Sequence, residues 1–508
     1  MNFKVYTTTF VLISILLLLV QLIAGSLYAF GAISEGLKEQ GFGHAVPVPL
    51  LGAAANIGTF VSIYNGWFVD RVGPGISLAV GGGLLGLGYS ALSAIVQLEA
   101  TNAREYAAVL AFFVVGNGAV LSFLSAYTSA AAYVPLPQWV GGASGTVLGA
   151  YAGAAALCAF MFKSVLNSKL VDFFELLSLS SHAISGAGAL AVLYLSVKNS
   201  DYVAAATADA SGRGLEALGG QQTQALIVTA EASEALMQAV AYVPAKSKTS
   251  TDSDFSVCTT IKNHARMMSR PAFVVLWTIV FLGLGSALMF VNTISDVAAA
   301  VTEGHVAAST LTRDCVIAFA LCNVGARIVG GFGSDGIDKH GFSRLWVLLL
   351  GALVGVAAHS MIAFTPRASS DHLSTWLVSS SCLVGISEGL LFLWPVAGRD
   401  WFGAKKTGIF FTLLNSAVGV GSAVYTAAAS GVIHQHSTTV ESASGILVSH
   451  CEGSVCFQQS YIAAAASNLL AILLGVWVIK VISNRKPGTA VRDMEWRCHY
   501  CSGRQSSE

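Results

Sequence analysis

Between Gly41 and Leu98 the chain carries only two Asp, Glu, Lys or Arg residues, the adjacent Asp70 and Arg71, inside N-G-W-F-V-D-R-V-G-P-G (65–75). A carboxylate at a helix end, with Gly66 and Gly73 around it, is suited to accepting hydrogen bonds from the free backbone N–H groups that open another helix. The pattern returns in G-G-F-G-S-D-G-I-D-K-H-G, where Asp335 stands four residues after Gly331 as Asp70 follows Gly66. Glu388, in L-V-G-I-S-E-G-L-L-F-L-W-P, is the deepest acid, with no basic neighbour one turn away. An ionised carboxyl there is costly unless it faces a partner or a wet cavity. It therefore either carries a proton or contacts a cation, or else packs as a hydrogen-bonded carboxyl. Arg327, two turns before Asp335, is expected to pair with Asp335 or with the loop after the Glu388 segment. The neutral polar candidates are Gln21, Tyr28, Asn56, Asn117, Asn292 and Asn415.

The elements that must hold these residues are set by composition. Of 508 residues, 54% are hydrophobic and 11% charged, with a mean hydropathy of +0.68. Apolar windows of about 20 residues, long enough to cross about 30 Å of hydrocarbon as helix, fall near 8–32, 46–68, 75–98, 107–131, 140–162, 176–197, 271–295, 313–334, 344–364, 374–397, 405–430 and 459–481. These twelve spans imply an all-α, multi-pass membrane protein. The chain divides into a first six-span bundle (1–197), a polar linker (198–270) without a core of its own, a second bundle (271–482) and a tail (483–508). Lys4 precedes a leucine-rich run, but the apolar stretch from Val5 to Ser34 is about twice the core of a signal peptide. Placing both termini in the cytoplasm leaves most of the 27 basic residues on that side, as positive-inside bias requires. Which membrane the chain occupies is not encoded.

The two halves repeat each other. G-S-L-Y-A-F-G-A-I-S-E in span one is echoed by G-S-A-L-M-F-V-N-T-I-S-D in span seven, so that Ile33-Ser34-Glu35 falls on Ile294-Ser295-Asp296. The Gly-x-x-x-Asp loops and the pair Gly145 and Gly408, opening spans five and eleven, keep nearly the same offset. Such order and spacing mark a tandem repeat. Gly66-Trp67-Phe68-Val69-Asp70-Arg71-Val72-Gly73 resembles the G-x-x-x-D-R-x-G loop of the major facilitator superfamily, and Arg327-x-x-x-Gly331-x-x-x-Asp335 resembles its second-half form. Pro74, Gly75 and Gly336 stand where that family often has basic residues. A-G-S-L-Y-A-F-G, S-G-T-V-L-G-A-Y-A-G, W-F-G-A-K-K-T-G-I-F-F-T and C-E-G-S-V-C-F resemble more narrowly the nodulin-like branch, close to the monocarboxylate-transporter-like group.

The resemblance implies a transporter rather than an enzyme, rocking two bundles around a midplane site. It also implies that Asp70 docks near the start of span eleven, around Ala404 to Thr407, and holds the cytoplasmic gate shut. Spans one, four, seven and ten line the cavity in such proteins, which raises Tyr28, Asn117, Asn292 and Glu388 above the other polar residues. The substrate implied is a small organic anion such as a monocarboxylate, although those four apolar windows contain no Lys or Arg. A cation or metal such as iron is the alternative, and a non-transporting receptor on the same fold is the second. A monomer bathed in lipid is expected, with no cofactor, nucleic acid or resident metal. Cys451 and Cys456 can form a disulfide if their compartment oxidises. His434, His436, His450, Glu441 and Glu452 share their loop, but the spacing matches no closed metal site. Cys498 and Cys501 in the tail form one CxxC without a second pair.

Overall fold

In the computed structural model the described residues are 3–30, 33, 36–37, 40–42, 45–46, 48–60, 62–134, 139–212, 268, 271–302, 305–365, 372–402, 407–441 and 447–483. The tail cysteines, Glu35, Lys405, Lys406 and residues 213–267 of the expected linker lie outside them. Eleven of the described helices are long and apolar enough to cross a membrane. Helix is what an apolar span must adopt, since lipid offers backbone groups no partners. Span one is Phe3–Ala24 with a tighter turn over Gly25–Ala29. Spans three to six are Pro74–Val96, Asn102–Tyr133, Val140–Phe160 and Leu170–Gly212. Spans seven to nine are Pro271–Val301, His305–Lys339 and Leu345–Ala363. Spans ten to twelve are Leu373–Leu391, Thr407–His436 and Gln458–Ser483. Span six thus continues to Gly212, into the interval read as linker.

The second window departs from a single helix. It holds two, Val48–Phe60 and Ile63–Val72. The break follows a run of hydroxyl groups that bond backward onto the chain: Thr59 Oγ1 donates to the Ala55 carbonyl at 3.1 Å and Ser62 Oγ to that of Thr59 at 2.6 Å. Such bonds compete with the helix ladder. At the far end Gly73 adopts φ +90, a left-handed value that glycine tolerates, and Pro74 starts span three at once.

Both halves use the same neighbour scheme. Span three packs on spans four and six as nine packs on ten and twelve, two on four as eight on ten, and one on five as seven on eleven. The halves meet crosswise, two against eleven and eight against five. One apolar cluster joins the halves at the gate-loop end, running from Tyr6, Val69, Tyr127 and Val140 to Phe273, Trp394 and Phe411. Phe411 of span eleven stacks obliquely on Phe123 and Tyr127 of span four, at 5.2 and 5.9 Å between ring centres. At the opposite end each half keeps a separate cluster. Among the described residues, the cluster shared by both halves thus lies at the Asp70 and Asp335 loops and the separate clusters lie at the other end. There a short hairpin pairs Thr438–Glu441 with Leu447–His450, and the Cys451–Cys456 disulfide follows it.

Candidate functional site

The Asp70 and Asp335 loops make two matching contacts between the halves. Asp70 accepts hydrogen bonds from the backbone N–H groups of Gly408 and Ile409, both at 2.8 Å. Asp335 accepts from those of Gly141 and Gly142, at 2.8 and 2.7 Å. Each carboxylate therefore caps a helix of the other half, where orphan donors and the positive end of the helix dipole coincide. Glycines make the approach possible: a Cβ on Gly66 would stand 2.3 Å from the Gly408 carbonyl oxygen, and one on Gly331 2.5 Å from that of Gly141. Arg344 joins the second latch, reaching Asp335 at 3.2 Å and Asp338 at 3.0 Å. Arg71 lies exposed in the last turn of its helix.

Arg327 does not pair with Asp335. Its Nη2 lies 3.3 Å from Glu388 Oε1, and both side chains are almost wholly buried. The expectation failed because eight residues of helix put about 12 Å between Arg327 and Asp335, whereas span ten comes very close. A Cβ on Gly385 would meet the Phe319 carbonyl oxygen at 2.3 Å, and one on Gly389 the Asn323 oxygen at 2.7 Å. Two glycines one turn apart thus bring Glu388 against span eight, so it does have a basic neighbour. The rest of the guanidinium is fixed too. Nε donates to Asn323 Oδ1 at 2.7 Å, Nη1 donates to the Leu148 carbonyl of span five at 3.0 Å, and the group lies 4.0 Å over the Phe392 ring.

This pair sits at the seam between the halves. Tyr28 and Tyr151 are both within electrostatic reach of Arg327, and their rings meet edge to face at 5.5 Å. Tyr28 is 41% exposed, whereas Arg327 and Glu388 are buried. Glu388 Oε2 is buried with no hydrogen-bond partner among the described residues. Asn117 and Asn292 are placed elsewhere. Asn117 Oδ1 receives the Tyr64 hydroxyl, and its Nδ2 donates to the Phe113 carbonyl at 3.0 Å. Asn292 Nδ2 donates to Thr426 Oγ1 at 2.9 Å, tying span seven to span eleven. Sequence reading missed Tyr151, Asn323 and Phe392. The signal for Tyr151 was at hand, because it belongs to S-G-T-V-L-G-A-Y-A-G and packs on the Gly25–Ala29 turn.

Two six-helix halves of matching contact scheme, meeting crosswise, define the architecture. It is the major facilitator fold. The chain matches the proton:xylose symporter XylE, bound to 6-bromo-6-deoxy-D-glucose, with a TM-score of 0.61 and 14% identity, over 94% of this chain and 97% of that one. It matches the E. coli fucose:proton symporter FucP with a TM-score of 0.53 and 14% identity, over 92% and 99%. Among curated proteins, the probable transporter MCH1 of Candida glabrata is 25% identical over 173 residues, 32% of this chain. That match spans 35% of the relative's length. No family model matches the chain.

Proposed function

We propose that the protein is an alternating-access carrier of a small organic anion, with Arg327 as its fixed cation and Glu388 as the group that yields to substrate. The observation that carries this reading is the buried Arg327–Glu388 pair at the seam, bonded to span eight, span ten and the Leu148 carbonyl of span five. An anion site needs a positive charge that the protein itself holds in place. Spans one, four, seven and ten have Lys or Arg only near their ends, at Lys4 and Arg104, and span eight supplies the charge at the seam.

In the resting pair Glu388 neutralises Arg327. A proton on the unpartnered Oε2 removes that negative charge, and a substrate carboxylate can then take the guanidinium with two parallel N–H···O bonds. Proton and anion would bind together and leave together. The Asp70 and Asp335 latches would release as the halves rock and expose the site at the gate-loop end. A cation substrate is disfavoured, because Arg327 stands 3.3 Å from the acid that would receive it. The segments resembling the monocarboxylate-like branch also support an anion, since they supply Tyr28, Tyr151 and the Asp70 dock. We place the disulfide end toward the oxidising side of the membrane, where such bonds persist, and the gate loops toward the cytoplasm.

The test is uptake into proteoliposomes of labelled monocarboxylates, hexoses, amino acids and divalent metals, with and without an inward proton gradient. Monocarboxylate uptake driven by the gradient is expected. Movement of neutral or cationic solutes only, unaffected by Arg327→Gln, would overturn the reading.

A further inference from the structure

Among the described residues four cysteines are free, and three of them, Cys315, Cys322 and Cys382, lie on spans eight and ten. The Cys322 thiol is in hydrogen-bond contact with the Cys382 thiol of the neighbouring helix. Their level follows from the crossing. A Cβ on Gly385 would stand 2.3 Å from the Phe319 carbonyl oxygen, and these two residues lie one turn from Cys382 and Cys322. The next contact along both helices, Gly389 with Asn323, shows that they run parallel. The Arg327–Glu388 pair, closed to 3.3 Å, fixes the register. Counted back from it at 1.5 Å per residue, Cys322 stands about 8 Å along span eight and Cys382 about 9 Å along span ten. The two sulfurs therefore share one height, beside the buried ion pair. Both residues are partly exposed, whereas Cys315 is buried and bonds to Ser381.

We propose that Cys322 and Cys382 are a redox pair that closes reversibly to a disulfide on reaction with a low-molecular-weight disulfide, RSSR. Sulfurs already in contact need only approach to about 2 Å. The first thiol gives up its proton and attacks RSSR, whose S–S bond breaks; one RS⁻ leaves and takes that proton. The second thiol then attacks the mixed disulfide on its neighbour, and the second RS⁻ leaves and is protonated in turn. Two protein thiols and RSSR become one protein disulfide and two RSH, so the cysteines are oxidised and the small disulfide is reduced. Excess RSH runs the same steps backward. The bond would fasten span eight to span ten about two turns from Arg327 and Glu388. On the carrier reading, and resting on it, the closed form cannot slide or turn this crossing and holds the anion site shut. Cys315 stays outside the exchange, because its thiol is buried against Ser381.

The test treats the purified full chain in liposomes with dithiodipyridine, a neutral disulfide that enters lipid, and maps disulfide-linked peptides by mass spectrometry. A Cys322–Cys382 link is expected, with a higher unfolding midpoint, both reversed by dithiothreitol. Cys322→Ser and Cys382→Ser should each abolish the link and the rise in midpoint, whereas Cys315→Ser should form the link as the parent does. Thiopyridine left on both cysteines without a link, a link made to Cys315 instead, or no reaction at either thiol would overturn the pair. Uptake by the parent should fall on oxidation and recover with dithiothreitol, while uptake by Cys322→Ser should not respond; unchanged uptake by the linked parent would overturn the lock. Because the link is read by mass and not by uptake, failure of the carrier reading leaves this result standing.

Discussion

Arg327 and Glu388 behave as one unit, and their removal should be strongly non-additive. Arg327→Gln leaves a buried carboxyl without its cation, a loss of about 3–5 kcal/mol for a pair of this kind. Thermal unfolding should register a lower midpoint, and anion uptake should vanish. Adding Glu388→Gln to that variant should restore much of the midpoint without restoring uptake; if both stay low, the pair is not the source of the loss. Glu388→Gln alone should retain anion exchange yet lose stimulation by a proton gradient, because the cation is then freed without a proton being taken up. A gradient response equal to the parent's would exclude Glu388 from coupling. The pair was illegible in the sequence for a definite reason. Glu388 is 61 residues from Arg327, and their meeting depends on the rotation of two helices and on Gly385 and Gly389, which hydropathy does not register. Asp70 was legible because its loop is local, repeated and polar in an apolar setting.

Among the elements, the carrier reading makes the helix crossings at the Asp70 and Asp335 contacts the ones that set which state is favoured. Asp70→Asn should keep the fold but weaken the cap on span eleven by about 0.3–2 kcal/mol, shifting the population toward the gate-open state several-fold. Modification of cysteines placed below the seam should speed up accordingly; an unchanged rate would remove Asp70 from the latch. Gly66→Val tests the same contact sterically, since its Cβ would enter the Gly408 carbonyl. Overpacking of this kind costs about 1–3 kcal/mol, borne only when the gate is closed. The variant should therefore trap the gate-open form and lose turnover, read as faster labelling with slower uptake. The crossings were half legible: Gly145 and Gly408 aligned in the repeat, yet nothing in their spacing revealed that Asp335 caps span five at Gly141 and Gly142. Continuous hydropathy likewise hid the break in span two, which comes from side-chain hydroxyls bonding to the backbone.

For the whole molecule, the reciprocal latches carry a meaning about assembly. Each half gives one carboxylate and one helix start, and each receives the same from its mate. That is the geometry of an isologous contact, in which one surface patch serves both partners of a two-fold dimer, here written twice into a single chain. An ancestral six-helix protein would have needed only one such patch to pair with its own copy. The four hydrogen bonds thus place recognition information within the two halves themselves. Two fragments made by a cut within residues 213–267 should find each other when expressed together, co-purify and recover uptake, whereas fragments carrying Asp70→Asn and Asp335→Asn should co-purify poorly. Two fragments that fail to associate even with both latches intact would show that continuity of the chain, and not complementarity of its halves, holds the molecule together.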